Sequence, residues 1–270
     1  MSAATPSITI EALTAKLAEM QAAAHVGVAE ALPPIRAVFG SIARRAVHEW
    51  FAQAPPQTLL IDVARRAIAW EEGDQEAKRE QDEAPTQTPL PGPGAWVGGE
   101  VFWIGRACWP YAPALCQAGN ALLERSVFVD IPRRQQGMRV WAIDLALRSP
   151  AVIAVVADGR DLDTAQSRRL QLAAEAGSSV ALLWRQPHEM RAISVAHYRW
   201  RVTPQPTARA HPCWQVACIR SKDAGAWRHE WNQKSCLVEH HYAKGLVAVS
   251  ADVVGRPRSA EVGEAEYQLG

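Results

Sequence analysis

Residues 149–159 read SPAVIAVVADG, an apolar run rich in β-branched residues that ends on one carboxylate, Asp158. A run with no polar alternation must be buried on both faces, the condition of an inner strand in a parallel sheet. Parallel neighbours need crossovers, so helices have to cover such a sheet on both sides. The flanking sequence supplies them. VFWIG from Val101, SVFVD from Ser126 and SVALLW from Ser179 fit further strands, and residues 138–148 and 162–176 carry apolar side chains at helical spacing. Asp161 or Asp163 can cap the second of these helices, and Gly177 stands where a helix can close in the left-handed conformation. The expected class is α/β, with a mainly parallel central sheet flanked by helices.

Toward the C-terminus the texture changes. HYRWRV alternates Tyr198, Trp200 and Val202 with Arg199 and Arg201, and CWQVACIR, AWRHEW and LVAVS also suit strands, so antiparallel strands should extend the sheet. Near the other end, residues 8–24 read as a helix with Leu13, Leu17 and Met20 on one face, and Pro33 and Pro34 stop the next helical run. AVHEWF, residues 46–51, fits a short strand or a helix end, and 58–70 fits a helix. The chain thus divides into a helical arm over 1–45, a core over 46–250 and a polar tail over 251–270. Residues 71–94 interrupt the core with seven carboxylates in the first thirteen positions and four prolines in the next eleven. Such a stretch buries too little to offset the entropy of ordering it, so an exposed, mobile insertion is expected.

With 270 residues, 48% of them hydrophobic, the chain can build its core without disulfides. Its five cysteines are odd in number and contain no C-x-x-C pair, which suits a reducing compartment. No leader and no long apolar run is visible, so a cytoplasmic location off the membrane is the expectation. A net charge of +1 gives no long-range attraction to nucleic acid. His229, Cys236, Glu239, His240 and His241 do not follow zinc-ligand spacing, and no metal is expected.

VFWIGRACWPYAPAL, WAIDLALRSPAVIAVVADG and SRRLQLAAEAGSSVALLWR, followed by YRWRV, together resemble the ImuA family, RecA-like accessory proteins encoded with ImuB and a DnaE-type error-prone polymerase. The resemblance spans residues 46–205 apart from the acidic insertion. It implies a RecA-like core and a part in damage-inducible translesion synthesis as a partner of the polymerase. Asp158 then matches the carboxylate ending the Walker B strand, and AQAPPQ takes the place of the phosphate loop, with Thr58 left in a hydroxyl position. Here the chain departs from the pattern. It has no Gly-Lys pair, and proline removes amides that a phosphate cradle requires. VFWIG matches the strand that delivers the catalytic carboxylate, yet it runs into Gly105, Arg106 and Ala107. The expectation is a non-catalytic core without cofactor, in which Asp158 and Thr58 are vestigial nucleotide positions.

Candidate partner or DNA contacts are Arg106, Trp109 and Tyr111, at a strand's carboxyl end where parallel sheets gather ligands, and Arg168 and Arg169 on the helix after Asp158. Arg199 and Arg201 join them because arginines interleaved with aromatics suit single-stranded nucleic acid, although alternation places them opposite the aromatics, in water. The resemblance implies an ImuB-type Y-family homologue as partner, RecA as a second, and a DnaE-type polymerase indirectly. Three alternatives stay open: a nucleotide-dependent protein using Thr58 and Asp158, a direct DNA binder, and a SulA-like division inhibitor.

Overall fold

The computed structural model describes residues 35–37, 40–82, 99–116, 121–207, 211–222, 235–241 and 245–249. The readings of residues 8–24 as a helix and 226–231 as a strand, and the tail from 251, lie outside them. Two short strands, β1 (Ile35–Ala37) and β2 (Gly40–Ile42), pair antiparallel as a separate hairpin. The described end of the expected helical arm is therefore extended.

The chain then alternates as expected: β3 (Ala46–Phe51), α1 (Gln57–Asp82), β4 (Glu100–Ile104), the short helices α2 (Ala112–Leu115) and α3 (Ala121–Glu124), β5 (Ser126–Val129) and α4 (Gln136–Arg148). It continues through β6 (Val152–Asp158), α5 (Thr164–Gly177), β7 (Val180–Arg185), β8 (Tyr198–Gln205), β9 (Cys213–Ser221), β10 (Ser235–His241) and β11 (Gly245–Val249). One sheet holds nine strands in the order β11-β10-β9-β8-β3-β7-β6-β4-β5. From β5 to β8 every pairing is parallel, and from β8 to β11 every pairing is antiparallel. The ambiguous AVHEWF segment is the central strand, between β7 and β8.

Strand parity sorts the core into two layers. Trp50, Trp103, Val156, Leu182, Tyr198 and Trp200 pack with Leu59, Leu60, Val63, Ala64 and Ala67 of α1. On the opposite face Phe102, Ile104, Val155, Ala157 and Leu183 pack with Val140, Ile143 and Leu147 of α4 and Leu170 and Ala173 of α5. The parallel register places Trp50 beside Trp200, and their rings stack at 5.4 Å. Each such fully buried large side chain contributes roughly 1.5–3 kcal/mol.

Two expectations are corrected. α1 does not stop at residue 70 but runs to Asp82, so the first half of the acidic stretch has helical backbone. At α5 the expected cap holds: Asp163 and Gln166 form a capping box, with Oδ1 of Asp163 accepting the Gln166 amide at 2.7 Å. The left-handed residue that ends α5 is Ser178, φ 59°, and not Gly177. Gly177 is required for another reason, since a Cβ there would lie 1.8 Å from the Leu147 carbonyl oxygen.

Candidate functional site at the carboxyl ends of the parallel strands

β6 delivers Asp158 to the carboxyl edge of the sheet, where it is buried. The next two residues turn the chain back on it. The Arg160 amide donates to Oδ1 at 3.2 Å, its Nε to Oδ1 at 2.8 Å and its Nη2 to Oδ2 at 2.6 Å. Arg139, 1% exposed on α4, brings Nη1 to 3.8 Å of Oδ2 and donates Nη2 to the Arg160 carbonyl. The Arg160 guanidinium also lies over the Trp184 ring at 4.4 Å. Burial alone would raise the Asp158 pKa, but the Arg160 hydrogen bonds and the Arg139 charge outweigh it and hold the carboxyl below its ordinary range. Arg160 is shifted upward by the same contact. Asp158 is therefore a carboxylate whose two oxygens already face guanidinium groups.

Gly105, ending β4, has φ +87°, and a Cβ built on it would stand 3.1 Å from Cβ of Asp158. A side chain there meets a backbone conformation that favours glycine and a neighbour that is pinned by two arginines. After it, Arg106 pairs with Asp130 at 2.6 Å and lies over the Trp109 ring at 5.6 Å. Arg106, Asp130, Arg133, Asp158 and Arg160 line a cleft of about 330 Å³.

The segment in the place of a phosphate loop closes on its own groups. Ala52 donates its amide to the Arg185 carbonyl at 3.1 Å and accepts from Trp184 Nε1 at 2.9 Å. Pro55 and Pro56 have no amide hydrogen and open α1, and the Gln57 amide donates to the Pro55 carbonyl. Between Ala52 and Gln57 only Gln53 and Ala54 keep amides outside these bonds, too few for a cradle of successive donors. Thr58 lines a second, smaller cavity with Asp62, Arg65 and His240, so it and Asp158 face different clefts.

The remaining sequence candidates scatter. Tyr111 is 72% exposed, while Trp109 packs edge-on against Phe128 and accepts a hydrogen bond from Gln57 through its carbonyl. Arg168 is exposed on α5, and Arg169 pairs with Asp144 at 2.9 Å across to α4. Arg201 is exposed. Arg199 is not in water as expected. It is buried, donates Nε to Glu49 Oε2 at 2.9 Å and lies over Phe51 at 4.7 Å. Alternation names a face of the strand, but here the 3-10 turn Pro187–Arg191 and the loop after it cover that face.

Sequence reasoning missed the groups that organise this edge. Glu49, with no exposed surface, takes Nη1 of Arg185 at 2.7 Å, Nε of Arg199 and the Ser194 hydroxyl at 2.7 Å. Glu189 takes Nη2 of Arg185 at 3.1 Å and the Asp161 amide at 2.7 Å, tying the β6–α5 loop to the turn after β7. The available signal was charge inside a strand: Glu49 within AVHEWF, Arg185 closing VALLWR. Among the described residues no cysteine lines this cleft, and His241, which contacts Glu239 at 3.1 Å, lies away from its lining.

The class follows from the strand order: an α/β core with a mainly parallel sheet, helices on both faces and antiparallel strands added toward the C-terminus. Two solved structures are similar over most of their length, the RadB recombinase (10% identity, 78% of this chain and 94% of that one, TM-score 0.48) and the KaiC-like protein PH0186 from Pyrococcus horikoshii (10% identity, 82% and 97%, TM-score 0.45). No family model matches the chain. Among characterised proteins it is similar to Protein ImuA of two strains of Caulobacter vibrioides, at 26% identity over 174 residues covering 54% of this chain and 70% of the relative. That is a distant ImuA-like relationship. No helix among the described residues is long and apolar enough to cross a membrane.

Proposed function

We propose that this chain is a non-catalytic RecA-like adaptor of SOS-induced, error-prone translesion synthesis. It binds an ImuB-type Y-family homologue, and RecA as a second partner, so that a DnaE-type polymerase acts on damaged DNA. The observation that carries the non-catalytic part is the state of Asp158. A magnesium ion on that carboxylate would have to displace Arg160 from both oxygens and sit beside buried Arg139. Removing one partner of a buried charge pair costs about 3–5 kcal/mol. Gly105 offers no base to a water molecule, and the closed 52–57 segment offers no phosphate cradle. The similarity to ImuA proteins supports the accessory role. A sheet edge without nucleotide chemistry then serves through its surfaces.

Calorimetry of the purified chain with an ImuB-type protein, and separately with RecA, tests this reading. Binding of equal affinity with and without ATP and magnesium is expected. Heat from ATP and magnesium alone, abolished by Asp158→Ala, would overturn it. A second reading, direct contact with single-stranded DNA, is favoured by Tyr111 standing 72% exposed beyond the 75% exposed Arg106 side chain on one loop. It predicts DNA affinity that falls steeply with salt and with Tyr111→Ala.

A further inference from the structure

The connection from β7 to β8 is held more tightly than surface loops usually are. Ser194 donates its hydroxyl to Glu49, shares a hydrogen bond of 2.8 Å with Ser167 of α5, and accepts the Ala196 amide at 3.1 Å. The Val195 amide donates to the Ser167 hydroxyl at 3.0 Å and the His197 amide to the Val47 carbonyl at 3.0 Å. From β9 and the residue after it, Arg220 and Lys222 donate to the carbonyls of Ser194 and Val195 at 2.8 and 2.5 Å. Thr164 donates to the Ile193 carbonyl at 3.3 Å. On this fixed frame Ile193 stands 77% exposed. A branched apolar side chain on a mobile loop can fold back against the body, but one whose backbone is bonded on three sides cannot.

The surroundings of Ile193 have a definite character. Arg168 is exposed one helical turn after Thr164, and Leu172, a further turn along the same row of α5, is 50% exposed. Arg191 is exposed two residues before Ile193. Lys222 and Arg220 each spend a donor on the loop, and burial and the Arg220 charge hold the Lys222 ammonium below its usual range despite Glu175. Apolar tips stand beside Arg168, Arg191, Arg220 and Lys222, with Asp163 and Glu175 at the two ends of α5. We propose that Ile193, Leu172, Arg168 and Lys222 form a docking surface for a protein segment in which a large apolar side chain is flanked by carboxylates. A preordered anchor adds no ordering cost on association, the condition under which one apolar residue dominates an interface. The chain's own acidic stretch, 71–83, does not fit, because it carries carboxylates and no large apolar side chain. Single-stranded DNA fits less well than a peptide, because the exposed apolar groups are aliphatic and give bases no ring to stack on.

The inference rests on the adaptor reading for the identity of the partner, and the test separates the two. Affinity for the ImuB-type protein is measured for the unaltered chain, Ile193→Asp, Arg168→Glu and the conservative Ile193→Leu, with thermal melts of each. The expected result is a loss of affinity of at least tenfold for Ile193→Asp and Arg168→Glu, with unchanged melting and near-normal binding by Ile193→Leu. Glu124→Arg, a comparable charge change at an exposed side chain of α3 in the opposite layer, leaves binding unchanged. Full binding by Ile193→Asp would overturn this surface while leaving the adaptor reading standing. Self-association lost in Ile193→Asp, or displacement of the partner by a single-stranded oligonucleotide, would overturn the proposed occupant. No binding by the unaltered chain would overturn both.

Discussion

A guanidinium two residues downstream supplies Asp158 with the positive charge that a bound ion would otherwise supply. Because Arg160 and Arg139 are themselves buried, the arrangement stabilises only as a whole. Asp158→Asn should destabilise by about 3–5 kcal/mol, since two guanidinium groups lose their carboxylate. The pH dependence has a definite sign. A carboxyl whose folded pKa is depressed contributes stability above its unfolded value, near 4, and loses that contribution as the pH falls through the folded value. Denaturant unfolding of the unaltered chain and Asp158→Asn should therefore differ by a constant amount from pH 7 to about 4, and the gap should narrow in stronger acid. A gap that widens on acidification would contradict this assignment. Gly105→Ala should cost about 1–3 kcal/mol, from the positive φ and the 3.1 Å approach to Asp158. Thermal melts would measure it.

At the scale of elements, the contact of α4 with α5 depends on one missing Cβ. Gly177 lies against the Leu147 carbonyl, so even alanine has to push the end of α5 away from α4. Gly177→Ala should cost about 3 kcal/mol, with loss of hydrogen-exchange protection confined first to these two helices. The elements were also where the sequence was most readable. β4, β6 and β7 announced themselves by apolar runs and the cap of α5 was narrowed to Asp161 or Asp163, while the charged central strand β3 stayed ambiguous. What was not readable is what other elements lay over them. Period-two alternation put Arg199 on the correct face, but only the turn after β7 decides that the face is closed. Nothing in the sequence around Arg139 tells that the β6–α5 loop folds over it. The acidic residues after Trp70 concealed a helix because a high density of charge does not by itself fix backbone form.

For the whole molecule the decisive strand is β8, last of the parallel set and first of the antiparallel set. Its buried Arg199 meets Glu49 of the central strand, which also holds Arg185 of β7. This network joins the two halves of the sheet through charge, in a region where apolar packing would serve as well. Glu49→Ala should cost about 3–5 kcal/mol, and Arg185→Ala much less when added to Glu49→Ala than alone. A double-mutant cycle by denaturant unfolding would show the coupling, and strictly additive losses would remove Glu49 from this role. Gly105 carries a consequence of another kind, for descent. A side chain at position 105 would stand against Asp158, which cannot yield while Arg160 and Arg139 grip it. Freeing Asp158 first costs stability. Substitutions at this edge are therefore constrained together, so change accumulates freely on the outer surfaces and slowly here.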